Sequence, residues 1–569
     1  MSWINDIRVV VGLDFGTTYT GFSLYHVDDD VEDIKTNDEW PGEIGQLKTN
    51  TVLQYKANFE EVELWGYPAL CKKPNKKSKY NETKPIELFK LYLGNCLEKF
   101  RPNLPEPLTY KQVITDYLCE IGKLIKKTIY QFWSEIDFME NVLLILTVPA
   151  EYSENDKAIM RECIFNAELI VDKYSENLQF TTEPEAAAIY CMHNILREHD
   201  LTEPGTTFMI IDCGGGTVDL TTRKLLENNQ LGEVTERAGD FCGSTFIDNE
   251  FIELLKRKVG NSAINLLKEK HYGQLQYMVQ EFCQYVKIPF TGDDPDFSYE
   301  MDLEDVAPAL LEYVTNSERD LMEENEWIIE LDFNTIKSMF DPIIDRIIEM
   351  IRAQLYNSSR KCSVMFLVGG FGQSQYLKKR VEEEFNQLVE NILIPTQPIA
   401  AVVRGAAIYG KSLYESKNLK NMSNSKCVIA TRVLNNTFGI KLSYKWKDGD
   451  PLNRLVNNGR IHKFCRIVER KTEVTIDQEF EVKNLYPSSP SETKLSFKIF
   501  YTRNYSAIYC DESGMKLLGE LIIDLPDVHL GKDRPCTFSL TFGDMEIKAR
   551  AFNQTNGQNY QTKFELNNY

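Results

Sequence analysis

The order of apolar and polar residues divides the chain into two parts. From the N-terminus to about Gly410, short apolar runs alternate with segments whose apolar residues recur at helical spacing. Residues 8–13 and 141–148 are typical of buried strands. Residues 110–133 and 153–167 are typical of amphipathic helices. This alternation predicts α/β layers around parallel or mixed sheets.

After Tyr409 the pattern changes. A polar stretch, 411–426, leads into short segments that alternate with period two and are separated by Gly, Asn and Pro turns. These segments are 438–442, 473–482, 494–501, 518–524, 536–541 and 546–552. Alternation at this spacing predicts an all-β sandwich or barrel of roughly 130 residues.

One supersecondary pattern occurs twice in the α/β part. In residues 9–18 an apolar run is followed by Asp14, a glycine turn and two threonines, and residues 208–219 repeat this order around Asp212. A glycine-rich turn lets backbone N–H groups approach and cradle phosphate oxygens. An aspartate beside such a turn is suited to hold Mg²⁺ through water. The repeat predicts two related units whose loops grip a polyphosphate and its metal.

The plainer interpretation of each loop is a β-hairpin with a glycine turn. For one loop alone the two interpretations are equally good, but the matched Asp and Thr positions of the pair favour a phosphate site. The chain lacks the Gly-x-x-x-x-Gly-Lys-Ser/Thr pattern of P-loop enzymes. A third glycine turn, 369–372, follows the apolar run 364–368 and opens the helix 374–385, where a nucleoside or phosphate can lie against bare backbone.

Composition limits the classes of partner. The 569 residues include 64 Lys and Arg against 85 Asp and Glu, a net charge of −21, which disfavours nonspecific binding to nucleic acid or anionic membranes. The one compact basic cluster, at Lys72, Lys73, Lys76, Lys77 and Lys79, is interrupted by Pro74 and predicts a solvated loop. Residues 433–569 carry 19 basic and 17 acidic side chains, so this near-neutral part is the more favourable face for a protein partner.

No apolar run approaches the roughly 18 residues that a membrane span needs. The N-terminus lacks a signal-peptide pattern, and the 13 cysteines are scattered singly, without metal-ligand or disulfide spacing. We therefore expect a cytoplasmic protein with reduced thiols.

These segments resemble the actin-like ATPase superfamily and, within it, the 70-kDa heat-shock protein chaperones. The resemblance runs through residues 12–18, 146–150, 182–188, 212–219, 238–243, 369–373 and 401–407. Residues 517–521, 536–541 and 546–552 look like the β-sandwich that binds substrate peptide in those chaperones. Residues 401–405 and 461–464 are closer to the divergent 12A/12B-type branch.

The resemblance implies an α/β two-lobed actin-like ATPase domain with duplicated ribonuclease H-like lobes, followed by a C-terminal all-β sandwich. Lobe I would span residues 1–205, with the helix near 400–410 packing back on it, and lobe II residues 206–410. A linker, 411–432, would lead to the sandwich at 433–569. The chain ends close behind the last sandwich strand, so we expect no helical lid.

The resemblance also implies roles for individual residues. Asp14 and Asp212 would hold Mg²⁺, and Glu183 would position the attacking water, with Asp219 as a second acid near metal and water. Lys90 is the candidate for the lysine that faces the γ-phosphate, although Lys84, Lys99 or a plain surface lysine fit the pattern as well. The residues expected to contact ATP or ADP are Gly16, Thr17, Thr18, Tyr19, Gly214, Gly215, Gly216, Thr217, Gly243, Lys287, Gly369, Gly370 and Phe371.

Three departures from the family pattern affect these expectations. The adenine-clamping helix has Gln284, Lys287 and Ile288 where the family has Glu, Lys and Arg, which removes a planar cation that could stack on the base. In the third loop Phe371 could stack on the base or pack in the core. Residues 427–430 replace an acidic, leucine-rich linker, so coupling between ATP and peptide, and stimulation by co-chaperones, cannot be assumed.

The sequence is compatible with three functions. The first is a chaperone-like weak ATPase that binds unfolded or extended polypeptide, or a protein client, through the sandwich. The second is a nucleotide-gated scaffold with negligible ATP turnover. A sugar or polyol kinase is the third and the least favoured, because the β part has no role in it.

Overall fold

The computed structural model describes residues 6–29, 33–70, 83–358, 360–418, 427–456, 459–476, 478–542 and 545–563. The basic cluster between Lys72 and Lys79 lies outside these residues. Of the helices in the described ranges, none combines the length and apolar character needed to cross a bilayer. Every cysteine within them is a free thiol.

The first α/β unit is built on a sheet in the order β11-β10-β1-β2-β3, with β6 also paired to β2. Its strands are β1 Val9–Phe15, β2 Tyr19–His26, β3 Lys35–Thr36, β4 Glu39–Trp40, β5 Glu43–Ile44, β6 Thr49–Asn50, β7 Val52–Tyr55, β8 Val62–Trp65, β9 Ile86–Glu87, β10 Val142–Val148 and β11 Leu178–Thr182. Its helices are α1 Tyr110–Phe132, α2 Phe138–Asn141, α3 Glu154–Asn166 and α4 Glu183–Glu198.

The second α/β unit follows the same plan with a larger insertion. Its strands are β12 Thr207–Cys213, β13 Val218–Leu225, β14 Leu231–Glu233, β15 Ala238–Asp240, β16 Tyr299–Asp302, β17 Ile328–Leu331, β18 Val364–Val368 and β19 Asn391–Leu393. Its helices are α5 Thr245–Val259, α6 Asn261–Lys270, α7 Tyr272–Phe282, α8 Leu303–Val306, α9 Leu310–Tyr313, α10 Asn316–Glu324, α11 Phe333–Asn357 and α12 Gln375–Phe385.

The two sheets share one topology, as the repeated sequence pattern predicts. In the first, β1 forms an antiparallel hairpin with β2 and pairs in parallel with β10, which pairs in parallel with β11. In the second, β12 forms the hairpin with β13 and pairs in parallel with β18, which pairs in parallel with β19. Both glycine loops therefore sit in the turn of a hairpin at the corresponding edge of their sheets.

A buried core between the sheets joins the two units. Along β1 the side chains of Val9 and Val11 enter the core of the first unit, whereas Val10 enters the shared core. Phe208 and Ile210 of β12 contribute to the same shared core from the other side. Because each central strand is covered on both faces, its sequence is a continuous apolar run.

The helix α13, Ala401–Asn418, completes this shared core by packing against α4 and β1. The contact is close at Gly405, where a Cβ atom would lie 1.7 Å from the carbonyl oxygen of Ala186. Gly410 is similarly tight, because a Cβ there would lie 2.4 Å from Val10 Cγ1. The small residues of the predicted motif 401–407 are therefore explained by helix packing.

The C-terminal strands are β20 Ile429–Val433, β21 Thr437–Lys445, β22 Leu455–Val456, β23 Arg460–Val468, β24 Glu473–Thr475, β25 Glu479–Leu485, β26 Lys494–Thr502, β27 Lys516–Asp524, β28 Cys536–Thr541, β29 Lys548–Asn553 and β30 Asn559–Lys563. Two antiparallel sheets, β22-β23-β21-β26-β27 and β25-β28-β29-β30, contribute side chains to one apolar core. We call these nine strands the C-terminal β module.

The segment predicted as a linker, 411–432, is structured at both described ends. Its first residues extend α13 to Asn418, and Ile429–Val433 forms β20, which pairs in parallel with β14. The strand β24 adds to β20, so the alternating run 473–482 splits between two sheets. Alternation of apolar and polar residues predicts a strand but does not identify the strand that it pairs with. The sequence therefore predicted a single strand over residues 473–482.

The C-terminal β module contacts both α/β units through charged side chains. The Arg161 guanidinium of α3 forms two hydrogen bonds with the Glu546 carboxylate, at 2.9 and 2.6 Å. Arg470 forms a bidentate ion pair with Glu236 of the second unit. Met545 lies in the apolar core of the first unit, so the contact has an apolar anchor as well.

Glu185 of α4 is the centre of a buried ion network. Its carboxylate accepts hydrogen bonds from Arg432 of β20 at 2.7 and 3.0 Å and from Arg223 of β13 at 3.1 Å. Burial alone would raise the pKa of Glu185, but Arg432 and Arg223 hold it well below its usual range. One carboxylate thus connects elements of both α/β units with the chain segment that leads to the C-terminal β module.

We predict that Glu185→Gln lowers the free energy of unfolding by about 3–5 kcal/mol at neutral pH, because it removes the buried negative charge that the guanidinium groups of Arg432 and Arg223 both contact. Glu473→Gln is the matched control: its ion pair with Lys224, 2.9 Å long, is 42% exposed on the Glu473 side, and its loss costs about 0–1 kcal/mol. Chemical denaturation of both variants measures the difference. If the two variants lose the same free energy of unfolding, burial does not determine how much each ion pair contributes.

The sign of the pH dependence follows from the depressed pKa. The stabilisation from Glu185 is present above the carboxyl group's unfolded pKa and is lost as the pH falls toward its folded pKa. Wild-type protein should therefore lose more stability on acidification than Glu185→Gln does.

Candidate functional site

The two glycine loops face each other across the seam between the α/β units. A Cβ atom at Gly215 would lie 2.2 Å from Thr18 Oγ1, and one at Gly216 would lie 2.6 Å from Thr17 Oγ1. Both distances are shorter than a real Cβ contact allows, so only glycine permits this approach. The predicted pairing of the loops is thus seen directly in the structure.

Each loop is held by its own backbone and neighbours. The Gly214 N–H donates to the carbonyl oxygen of Thr217 at 2.9 Å. Gly243 packs on the second loop, where a Cβ would lie 2.3 Å from the Gly215 carbonyl oxygen. In the first loop, the Thr51 hydroxyl donates to the carbonyl oxygen of Gly16 at 2.9 Å. These contacts fix the loop backbones.

Four carboxylates gather around the loops. Asp14 and Asp212 lie near the ends of β1 and β12 and are 4% and 5% exposed, and Asp219 of β13 is 1% exposed. Glu183 begins α4, and its side chain is 13% exposed. The structure therefore brings together all four acids to which the sequence assigned metal or catalytic roles.

These carboxylates raise one another's pKa values. Burial, followed by repulsion from Glu183 and Asp14, raises the pKa of Asp212 well above its usual range. Burial and Glu183 raise the pKa of Asp219 to about 8. Burial also raises the pKa of Glu183, against the opposing charge of Lys90. Such mutual perturbation is characteristic of groups arranged for chemistry or cation binding.

Lys90 lies inside this cluster. It belongs to a 3₁₀ turn, Phe89–Tyr92, is 4% exposed, and donates from Nζ to Glu183 Oε1 at 2.7 Å. The two alternatives point elsewhere: Lys84 Nζ donates to the Lys268 carbonyl oxygen, and Lys99 Nζ lies 4.7 Å from the Phe100 ring centroid. Of the three lysines, only Lys90 contacts a predicted catalytic acid in the structure, and the surface-lysine interpretation does not fit its burial.

A second lysine, Lys48, was missed by the sequence reasoning. Its Nζ lies 2.5 Å from Asp14 Oδ2, and the two side chains are 9% and 5% exposed. The other oxygen of Asp14 accepts from the Thr147 hydroxyl at 2.9 Å. Lys48 belongs to no glycine motif, so only its position in the folded chain reveals it.

Asp219 has one oxygen in use and one without a partner. Oδ1 accepts the backbone N–H of Ala150 at 2.9 Å, whereas the buried Oδ2 has no hydrogen-bond partner. Gly239 leaves room beside it, since a Cβ there would lie 2.5 Å from Asp219 Oδ1. Within the described residues, no group of three or more His, Cys, Asp or Glu side chains has direct metal-ligand geometry.

The third glycine turn packs against Asp212 of the second α/β unit. Gly369 has a positive φ of 80°, and a Cβ there would lie 2.5 Å from Asp212 Oδ1. Gly370 faces open space. Phe371 is 6% exposed and belongs to the core of the second unit, which supports core packing over base stacking.

Lys287 and Tyr19 lie at the edge of this arrangement. Lys287 ends a π-helical turn, Cys283–Lys287, that follows α7, and its Nζ lies 2.5 Å from Asp248 Oδ1. Burial alone would lower the pKa of Lys287, but Asp248 and Cys283 raise it. Tyr19, 45% exposed at the start of β2, interacts electrostatically with Lys287. The ammonium of Lys287 is thus engaged with a protein acid.

We predict that Asp219→Asn makes the ligand-free protein less sensitive to alkaline pH. The folded pKa of about 8 lies above the ordinary value of 3.8, so between these two pH values the carboxyl ionises in the unfolded chain and keeps its proton in the fold, which lowers the stability of the fold as the pH rises. Above pH 8 the variant should be more stable than wild type by more than about 1 kcal/mol, with little difference near pH 4.

Thermal unfolding across this pH range measures the effect. Asp240→Asn is the matched control, because Asp240 lies on β15 beside the site, is 32% exposed and pairs with Arg346 at 2.6 Å. A stability difference for Asp219→Asn that does not change with pH would contradict the prediction.

Comparison with known proteins agrees with this geometry. No protein-family model matches the chain. Heat shock 70 kDa protein 12A of Mus musculus and of Homo sapiens are each 25% identical, over 99% of this chain and 92% of the relative. Heat shock 70 kDa protein 12B of Homo sapiens is 22% identical over 98% of this chain and 91% of the relative.

A more distant relative supports the same relationship over part of the chain. Chaperone protein DnaK of Elusimicrobium minutum is 24% identical over 46% of this chain and 38% of its own length. These relatives imply the two-lobed actin-like ATPase fold for the paired α/β units. The predicted resemblance is therefore confirmed: the chain is similar over nearly its whole length to the 70-kDa heat-shock proteins named 12A and 12B.

Proposed function

We propose that this chain is an ATP-binding, chaperone-like protein that hydrolyses ATP slowly to ADP and phosphate and binds polypeptide through its C-terminal β module. Similarity to heat-shock and chaperone relatives supports a nucleotide-binding chaperone-like protein. The single observation that carries the nucleotide part is the pair of facing glycine loops, whose bare backbones lie beside the hydroxyls of Thr17 and Thr18 at the seam.

The loops suit a polyphosphate for a physical reason. Their glycines leave the backbone bare, and backbone N–H groups in a concave turn bind anions. The hydroxyls of Thr17 and Thr18 lie between the loops and can donate to phosphate oxygens. Lys90, buried beside Glu183, adds a positive charge where a terminal phosphate would lie.

The donor set is compatible with Mg²⁺ bound through water. Four acids share the site with two lysines, so the cluster would carry a negative charge with all four acids ionised, and a divalent cation would offset that charge. Asp219 Oδ2 is buried without a hydrogen-bond partner among the described residues. Asp14 and Asp212 would hold the ion's water shell. When bound, Mg²⁺ would neutralise charge on the phosphates.

Glu183 is suited to act on the attacking water. Its carboxylate lies at the first turn of α4, beside both loops, and its raised pKa brings a general base closer to neutral pH. Lys90 holds one of its oxygens, which leaves the other to accept a proton from water. Positioning and charge neutralisation of this kind account for most of the catalysis of phosphoryl transfer.

Polypeptide binding is proposed for the C-terminal β module because it exposes apolar side chains. Tyr444 of β21, Leu452 in the turn before β22, and Leu455 and Val456 of the edge strand β22 are 40%, 74%, 44% and 37% exposed. An exposed apolar edge favours an extended chain that adds to it. Fluorescence anisotropy of a labelled apolar peptide, with and without nucleotide, tests this part, and no binding in either state would refute it.

A nucleotide-gated scaffold with negligible turnover is the second candidate. The observation that favours it is the Lys48–Asp14 pair, because a lysine on a predicted metal ligand opposes the metal on which hydrolysis would depend. Single-turnover hydrolysis of γ-labelled ATP separates the two functions: release of labelled phosphate supports the ATPase, and binding without release supports the scaffold.

We predict that Glu183→Gln leaves ATP affinity within about threefold of wild type and lowers single-turnover hydrolysis by about 10²–10⁴-fold. The amide can still accept from Lys90 but cannot take a proton from water. Glu198→Gln, at the exposed end of the same helix, is the matched control and should hydrolyse ATP at the wild-type rate. Equal hydrolysis by Glu183→Gln and wild type would remove Glu183 from the mechanism.

A further inference from the structure

The Lys48 side chain occupies a site that the fold builds for it. Asp14 on β1 lies opposite Gly21 on β2 in the hairpin register. A Cβ atom at Gly21 would lie 2.7 Å from Lys48 Cγ, so the missing side chain is what lets the lysine stem cross the hairpin and reach Asp14. A larger residue at position 21 would displace Lys48.

The segment that carries Lys48 is tied to the first glycine loop. Directly after it, Thr49 of β6 pairs with Thr20 of β2, and the Thr51 N–H donates to the carbonyl oxygen of Thr18 at 2.8 Å. The Thr20 and Thr51 hydroxyls are hydrogen-bonded at 2.8 Å. These contacts hold the ammonium at a fixed place beside the loop, which an unrestrained surface lysine would not have.

The charge of Lys48 acts on three of the four acids, Asp14, Glu183 and Asp212. Burial is the main cause of the raised pKa values of Glu183 and Asp212. The positive charge of Lys48 acts in the opposite direction and lowers both pKa values. Its side chain is 9% exposed, so solvent screens this charge only weakly. An ammonium at hydrogen-bond distance from Asp14 supplies one unit of positive charge at a carboxylate assigned to hold Mg²⁺.

We propose that Lys48 is a resident cation that replaces part of the charge neutralisation by Mg²⁺ at Asp14, so that nucleotide binding by this chain depends only weakly on divalent metal. The proposal rests on the proposed function and specifies how its site balances charge. With Lys90 on Glu183 and Lys48 on Asp14, two of the four acids are paired before any ligand enters. A nucleotide's phosphates then meet less repulsion when Mg²⁺ is absent.

Calorimetry of ADP binding tests the proposal, because it measures affinity independently of hydrolysis. The affinity for ADP is measured once in excess Mg²⁺ and once in the presence of a chelator. The metal dependence is the affinity in Mg²⁺ divided by the affinity in chelator. Wild type should show a ratio below about threefold, and Lys48→Met a ratio at least about tenfold larger, since its neutral side chain leaves Asp14 unpaired. Lys48→Arg keeps the charge and should stay near wild type.

Lys157→Met is the matched control: Lys157 is 8% exposed and paired with Glu154, away from the loops, so its loss should not change the metal dependence. Thermal unfolding checks each variant, and Lys48→Gln replaces Lys48→Met if the latter does not fold. The same ratio in wild type and Lys48→Met, or an equal loss of affinity with and without Mg²⁺, overturns the role of Lys48 alone. Failure of wild type to bind ADP in either buffer overturns the proposed function and this proposal together.

Discussion

Four carboxylates lie buried or nearly buried where the two α/β units meet, and water there cannot screen their mutual repulsion. Burying like charges costs free energy, which appears here as the raised pKa values of Asp212, Asp219 and Glu183. Two lysines offset part of this cost, one on Glu183 and one on Asp14. Two carboxyl groups remain without a lysine partner in the described part of the chain, and this excess of acid favours binding of a cation or protonation of the acids over a fully ionised site.

The duplicated architecture holds these charges together. Each unit places an aspartate one residue before the end of a central strand and turns its chain through glycine and threonine, and the two turns meet across the seam. The apolar core shared by β1, β12, α4 and α13 fixes the distance between the units. The Glu185 network connects α4 with β20, so the proposed nucleotide site and the path to the C-terminal β module share one helix. Glu183 and Glu185, two residues apart, therefore serve the site and the network respectively.

Much of this arrangement can be predicted from the sequence, because its signals are local. Continuous apolar runs that end in Asp and Gly identify β1 and β12, and their repetition predicts the shared topology. Lys90 could only be nominated among three lysines, since burial, which distinguishes it, is a tertiary property. Lys48 was missed because its signal, a glycine opposite Asp14, exists only once the hairpin register is known. Likewise, the sequence of β20 predicts a linker, because its pairing with β14 is evident only in the folded chain.

Calorimetric titration of ATP into the full-length chain and into Gly216→Ala tests the central claim, that the facing loops form a nucleotide site. A methyl group at position 216 would lie 2.6 Å from Thr17 Oγ1, so it must displace one of the loops proposed to hold the phosphates. The account predicts one ATP bound per wild-type chain and affinity at least about tenfold lower in the variant. Absence of binding to wild type, or equal affinity in both proteins, would contradict it.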